Sequence, residues 1–265
     1  MSLFIGDKRV TFAQIGGTPI IPSTTFSLYM VGSFTDNLYT LNRTTGVATR
    51  FGSATQFGVS EPSPSGLAWD GTNLYMVGSD NDKLYVAVTG PPQAVGNFAR
   101  VGTATRFGVS EPSPSGLAWD GTNLYMVGAT NRLLYTLNRT TGIATRVGSA
   151  TQFGVSEQSP SGLAWDGTNL YMVGATTDAL YTLNRTTGVA TRVGTSRGFG
   201  VNETAPSGLA WDGTNLYMVG SFTDNLYTLN RTTGIATRVG SATQFGVSEF
   251  TPSGLAWAPS PPMPS

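Results

Sequence analysis

The 265-residue chain contains no cysteine and no histidine. Without cysteine there is no disulfide and no thiolate metal site. Without histidine, the commonest general base near neutral pH and the commonest transition-metal ligand are both missing. Charge is sparse: 15 Lys and Arg stand against 15 Asp and Glu, a formal net charge of zero. No cluster of basic residues is present, so nucleic acid is not an expected partner, because phosphate neutralisation needs grouped Lys or Arg. No apolar run approaches the roughly 20 residues needed to span a bilayer, so membrane insertion is not expected. Residues 1–8 show no basic region leading into an apolar run, so no secretory signal is expected there. On these grounds the chain reads as cytoplasmic, or exported by a non-classical route. No metal and no cofactor is expected.

What the chain does have is glycine, proline and repetition. Its 34 Gly and 15 Pro suit a turn-rich β protein. The segment Gly-Leu-Ala-Trp-Asp-Gly-Thr-Asn-Leu-Tyr-Met-Val-Gly at 162–174 recurs letter for letter at 66–78, 116–128 and 208–220. A fifth copy is divided. Its second half, Leu-Tyr-Met-Val-Gly, lies at 28–32, and its first half, Gly-Leu-Ala-Trp, lies at 254–257. The motif Pro-Ser-Gly-Leu-Ala-Trp begins at Pro64, Pro114, Pro160, Pro206 and Pro252, with spacings of 50, 46, 46 and 46. The longer unit holds one divergent segment, 86–98, where the other copies read Thr-Leu-Asn-Arg-Thr-Thr-Gly.

Each unit carries four strand signals; in the fourth full copy these are 208–212, 216–221, 226–230 and 236–240. Asp-Gly-Thr-Asn joins the first pair and Arg-Thr-Thr-Gly the last pair, both turn sequences with glycine available for positive φ. No segment has helical periodicity. The strands are apolar on both faces, as expected of sheets sandwiched between neighbours. Four antiparallel strands at a period in the forties match one propeller blade. The expected fold is therefore an all-β, five-bladed β-propeller, closed by pairing N- and C-terminal strands within one blade. Its blades lie at about 26–58 plus 252–258, 64–108, 114–154, 160–200 and 206–246. Residues 1–25 form an N-terminal arm or linker, and 259–265 a proline-rich tail. An open stack would expose apolar terminal faces; closure between swapped chains, giving an oligomer, is the other alternative.

Functional candidates fall on the connections that share one face of such a ring. The short connection between the second and third strands varies most among otherwise near-identical copies. Its candidate residues are Phe34, Asp36, Asp80, Asp82, Asn131, Arg132, Thr177, Asp178, Phe222 and Asp224. The longer connection to the next blade carries Phe-Gly-Val-Ser-Glu, or Asn in place of Ser in one copy. Its candidates are Gln56, Phe57 and Glu61; Arg106, Phe107 and Glu111; Gln152, Phe153 and Glu157; Phe199 and Glu203; and Gln244, Phe245 and Glu249. An aromatic ring, a carboxylate and an amide suit stacking on and hydrogen-bonding a sugar. The other reading is that Phe fills the gap between blades while Glu caps backbone N–H groups. The repeated Asp70, Asp120, Asp166 and Asp212 read as turn residues, since Asp-Gly-Thr-Asn lacks the alternating oxygen ligands of a calcium loop. No catalytic residues are assigned. Every carboxylate on the candidate face recurs in equivalent copies, whereas catalysis needs one asymmetric constellation.

Over roughly 235 residues the repeats resemble five-bladed propeller lectins of the tachylectin type, in period, blade number and aromatic content. That resemblance implies carbohydrate pockets between adjacent blades. The stretch Phe-Ile-Gly-Asp-Lys-Arg-Val at 4–10 resembles short segments of bacteriophage tail and tail-fibre proteins. It implies a virion location, with residues 1–25 contacting other tail proteins and the ring recognising cell-surface glycans. The near-identity of the copies also resembles engineered symmetric propellers, against which stand the irregular unit and the distinct arm. A structural or protein-interaction ring that binds no sugar is the competing class.

Overall fold

The computed structural model describes residues 25–51, 59, 61, 63–87, 97–103, 106–111, 113–149, 152–195, 198–241, 245–247 and 251–260, together with the short strands of the arm. It shows five four-stranded antiparallel sheets arranged as blades of a ring. Blade one runs from Pro64 to Arg100, blade two from Pro114 to Arg146, blade three from Pro160 to Arg192 and blade four from Pro206 to Arg238. In each, the four strands pair in chain order, from an inner Pro-Ser-Gly-Leu-Ala-Trp strand to a three-residue outer strand. The inner strand opens earlier than its sequence signal, at Pro206 rather than 208 in blade four. Proline is tolerated there because the first residue of a strand need not donate to the ladder.

Blade five is assembled from both ends of the chain. Pro252–Pro259 supplies its inner strand and pairs antiparallel with Phe26–Gly32, from Pro252 opposite Gly32 to Pro259 opposite Phe26. The two strands run on where the other blades turn back, and Ser260 N–H donates to Thr25 O at 2.7 Å. Around the axis each inner strand packs on the next. Ser65 Oγ donates to Pro114 O at 2.7 Å, Ser115 to Pro160 at 2.8 Å, Ser161 to Pro206 at 2.6 Å and Ser253 to Pro64 at 2.5 Å. The last of these closes the circle. Glycine follows each serine because the strands meet there backbone to backbone; a Cβ on Gly116 would stand 2.2 Å from Ser161 O.

The cores lie between blades. In one, Phe107 packs with Leu84 and Val101 of blade one and with Leu117, Met126 and Tyr135 of blade two. The arm consists of two small antiparallel pairs, Leu3–Ile5 with Lys8–Val10 and Gln14–Ile15 with Thr18–Pro19.

Candidate functional site

The ring has two unlike faces. On one, the Asp-Gly-Thr-Asn turns and the Asn-Arg-Thr-Thr-Gly turns come together, and on the other the variable short loops meet the connectors between blades.

On the turn face, Asp120 Oδ1 accepts from the N–H groups of Thr122 at 2.9 Å and Asn123 at 2.8 Å, which is the expected turn chemistry. Its other oxygen, Oδ2, accepts from Arg185 of the next blade. The Arg185 guanidinium in turn lies over the Trp165 ring, 4.2 Å from its centroid. The same arrangement joins Asp70, Arg139 and Trp119; Asp166, Arg231 and Trp211; and Asp212, Arg43 and Trp257. Guanidinium over indole, with a carboxylate in plane reach, ties blades two to five each to its predecessor. This tie was not read from the sequence, although Asp and Arg each recur four times. At the fifth junction both go together: Ala258 takes the Asp position, and the divergent 86–98 segment of blade one replaces the Asn-Arg-Thr turn. The tryptophans, half-buried, line a shallow depression on the axis of about 80 Å³, well below the few hundred Å³ of a usual ligand pocket.

On the loop face, the structure assigns the repeated Phe and Glu to the second of their two readings. The Phe107, Phe153, Phe199 and Phe245 rings are at most 1% exposed and wedge between blades. The Phe107 carbonyl accepts from Ala144 N–H at 2.7 Å, so the connector also covers the outer edge of the next blade. Glu157 accepts from the N–H groups of Ser159 at 2.7 Å, Thr176 at 3.1 Å and Thr177 at 3.2 Å, and from Thr177 Oγ1 at 2.6 Å. Glu61, Glu111 and Glu203 hold their own loops in the same way. These rings cannot stack on a ligand from their buried positions. Gln56, Phe57, Gln244 and Glu249 lie outside the described residues. Arg106 and Gln152 are exposed, and Arg106 Nε lies 3.6 Å from Asp82 Oδ2.

The short loops share one backbone shape. Their fourth residue, Asp36, Asp82, Arg132, Asp178 or Asp224, has φ between 47° and 56°. Asp tolerates this left-handed region better than most residues, which explains its recurrence. Burial pushes the Asp178 carboxyl above its usual range, and the charges of Glu157 and Glu203 add to that. Burial likewise raises Asp82, opposed by Arg106 and reinforced by Asp80. Asn131 donates from Nδ2 to Ser110 O, and Thr177 shares a 2.7 Å hydrogen bond with Tyr181. Burial pushes the Tyr85 hydroxyl up to about 12, helped by the adjacent Glu61 carboxylate, from which it is 3.2 Å. The exposed position is the second residue of each loop: Phe34, Asp80, Thr130, Thr176 and Phe222. Phe34 and Phe222 are 63% and 59% exposed. Among the described residues, no group of three or more His, Cys, Asp and Glu is placed to hold a metal ion.

No protein-family model and no curated protein matches the chain. Solved structures do. A chain in the crystal structure of the nidogen/laminin complex superposes with a TM-score of 0.56 at 13% identity, over 88% of this chain and 98% of that one. A structural-genomics protein of unknown function from Bacteroides thetaiotaomicron gives 0.54 at 17% identity, and the 88% of this chain that aligns spans 65% of that protein. Virginiamycin B lyase from Staphylococcus aureus reaches 0.47 at 11% identity, over 89% of this chain and 75% of that one, too weak to carry an argument. At these identities the likeness establishes the propeller fold and nothing about the site.

Proposed function

We propose that this propeller is a non-enzymatic binding module that meets a macromolecular partner with its loop face and is attached through the opposite face. One observation carries the reading. Copies that are otherwise nearly identical differ at the loop tips of a single face, and there a buried Glu fixes the loop backbone while the tip side chain stands in solvent. A rigid frame under changeable tips is an arrangement for recognition. The repeated carboxylates are committed to loop N–H groups, which favours binding over acid–base chemistry. Thr25, where the arm begins, lies at the open end of blade five, on the turn face. The nidogen/laminin complex is by name an assembly of two proteins, and it supports a protein partner by analogy of fold alone.

Carbohydrate on a host surface is the second reading, as the tachylectin resemblance implies. Fivefold repetition favours it, since weak sites repeated on one ring, and over several rings on a particle, gain by avidity. In that reading the protein is a virion component, with residues 1–25 joining it to other tail proteins.

The test is a glycan array and a displayed random-peptide library, screened in parallel on the full chain. A variant with all five tips replaced by Ala-Gly-Thr-Asp-Ala, which removes the exposed second side chain from every blade, should lose the binding found, and deletion of residues 1–24 should leave it intact. Binding that survives the tip replacement would overturn the reading.

A further inference from the structure

In blade one the fourth residue of the short loop, Asp82, meets the residue before the connector phenylalanine, Arg106: Arg106 Nε lies 3.6 Å from Asp82 Oδ2. Blade three brings the same two positions together with a different pair. Asp178 takes the place of Asp82, and Gly198 the place of Arg106. Apart from its chain neighbours, a Cβ on Gly198 would meet only Asp178 Cβ among the described residues, at 3.8 Å. The space beside Asp178 that a long side chain would take is therefore open. The remaining connectors carry Gln56, Gln152 and Gln244 here, so the connector after blade three is the one with no side chain at this point.

The two carboxylates are held alike. Asp82 and Asp178 share the left-handed backbone, with φ of 50° and 47°. Each buries Oδ1 without a hydrogen-bond partner, which leaves Oδ2 to meet a neighbour, as it meets Arg106 in blade one. The charges around them differ. Asp82 feels the Arg106 cation against Asp80, whereas the charges acting on Asp178 are the carboxylates of Glu157 and Glu203. A half-buried carboxylate among like charges gains most from a cation brought to its open side.

Building on the loop-face reading, we infer that the niche at Asp178 and Gly198, between blades three and four, takes an arginine side chain of the polypeptide partner. The chain carries the template, since its own Arg106 stands at the equivalent place beside blade one. A guanidinium donates to a carboxylate through a fixed fork and is more weakly hydrated than an ammonium, which suits a half-buried niche. A neutral sugar hydroxyl would leave the charge uncompensated.

The experiment titrates the isotope-labelled full chain with acetyl-arginine amide, and with acetyl-citrulline amide as its neutral isostere, and follows backbone amide shifts by NMR. Asp178 and Gly198 should shift with the arginine derivative and stay still with the citrulline one. Asp178→Asn, which keeps a residue suited to the left-handed backbone, should weaken binding by about fivefold or more. Arg106→Ala should open the equivalent niche on blade one, so that Asp82 shifts as well and the chain binds at two sites. Arg106 is exposed, and circular dichroism should show both variants folded. No shift at Asp178 and Gly198, or a shift that survives Asp178→Asn, would overturn the inference. So would a response to calcium chloride in place of arginine, which would mark a metal site. Arg197 lies outside the described residues; arginine binding that appears only in an Arg197→Ala variant would show the chain filling its own niche, and would overturn the inference too. Each of these results leaves the loop-face reading standing, because the tip replacement keeps Asp178 and is scored on the recovered partner.

Discussion

The Glu157 carboxylate fills the space that a side chain on Gly174 would need: a Cβ there would stand 1.9 Å from Glu157 Oε2. The same interlock pairs Glu61 with Gly78, Glu111 with Gly128 and Glu203 with Gly220. In these four copies the glycine that ends the second strand and the glutamate of the connector are one device. It holds the loop tip in place from beneath.

Glu157→Gln should therefore cost about 2–3 kcal/mol, since an amide turns a donor toward backbone N–H groups that it leaves unsatisfied. Gly174→Ala should destabilise by a similar amount, by expelling the carboxylate. The double variant should lose clearly less than the sum, because both changes break one contact set. Urea unfolding measures all three, and strict additivity would contradict the interlock.

The turn-face ties should show in acid. Burial pushes the Asp120 carboxyl up, but the N–H groups of Asn123 and Thr122 and the Arg185 guanidinium outweigh it and hold it below its ordinary 3.8. A carboxylate lowered in the folded state adds stability above about pH 4 that is lost as pH falls through its folded value. Asp120→Asn should thus cost up to about 1 kcal/mol at pH 7, discounted because Arg185 is partly solvated. The gap from the wild type should shrink as pH falls below the ordinary carboxylate range and through the lowered folded-state value. A gap that widens in acid would rule out the ion pair.

Asp178 carries the opposite sign. Its carboxyl is raised, first by burial and then by Glu157 and Glu203. The charge therefore costs stability once pH rises past its unfolded value. Asp178→Asn keeps a residue suited to φ of 47° and removes the charge. It should raise the thermal midpoint at pH 7 and leave it unchanged near pH 3.

Ring closure within one chain can be tested with a crosslink. Ser27 Oγ and Ser260 Oγ lie 2.5 Å apart and 233 residues apart in sequence. Ser27→Cys with Ser260→Cys should oxidise to an intramolecular disulfide in a monomer. It should stabilise by up to about 5 kcal/mol on the chain-entropy model. Disulfide-linked dimers, seen on non-reducing gels, would show blade five closing between chains instead.

Blade number, strand order and closure were legible in the sequence because the repeats set the period and the divided copy has a single partner. The Asp-Gly-Thr-Asn turns were legible as turns. The role of the repeated Phe and Glu was open, because it depends on a glycine 17 residues away from Glu157 that only the fold brings beneath it. The Arg–Asp ties were missed for the same reason, since donor and acceptor sit on different blades. Their joint loss at Ala258 and at 86–98 was the signal available. Phe34 and Phe222 stood out as variable residues, and the expected ring order already sets blade five beside blade four; what the structure adds is that both side chains are exposed.

The most direct measurement of loop-face recognition uses the absence of native cysteine. A single cysteine at Thr186, on the turn face, or at Thr176, on a loop tip, tethers the protein to a maleimide surface in opposite orientations. Peptides or glycans recovered on the wild-type chain should bind the Thr186→Cys surface by plasmon resonance and be lost from the Thr176→Cys surface. Equal binding in both orientations, or binding only when the loop face is tethered, would contradict the account.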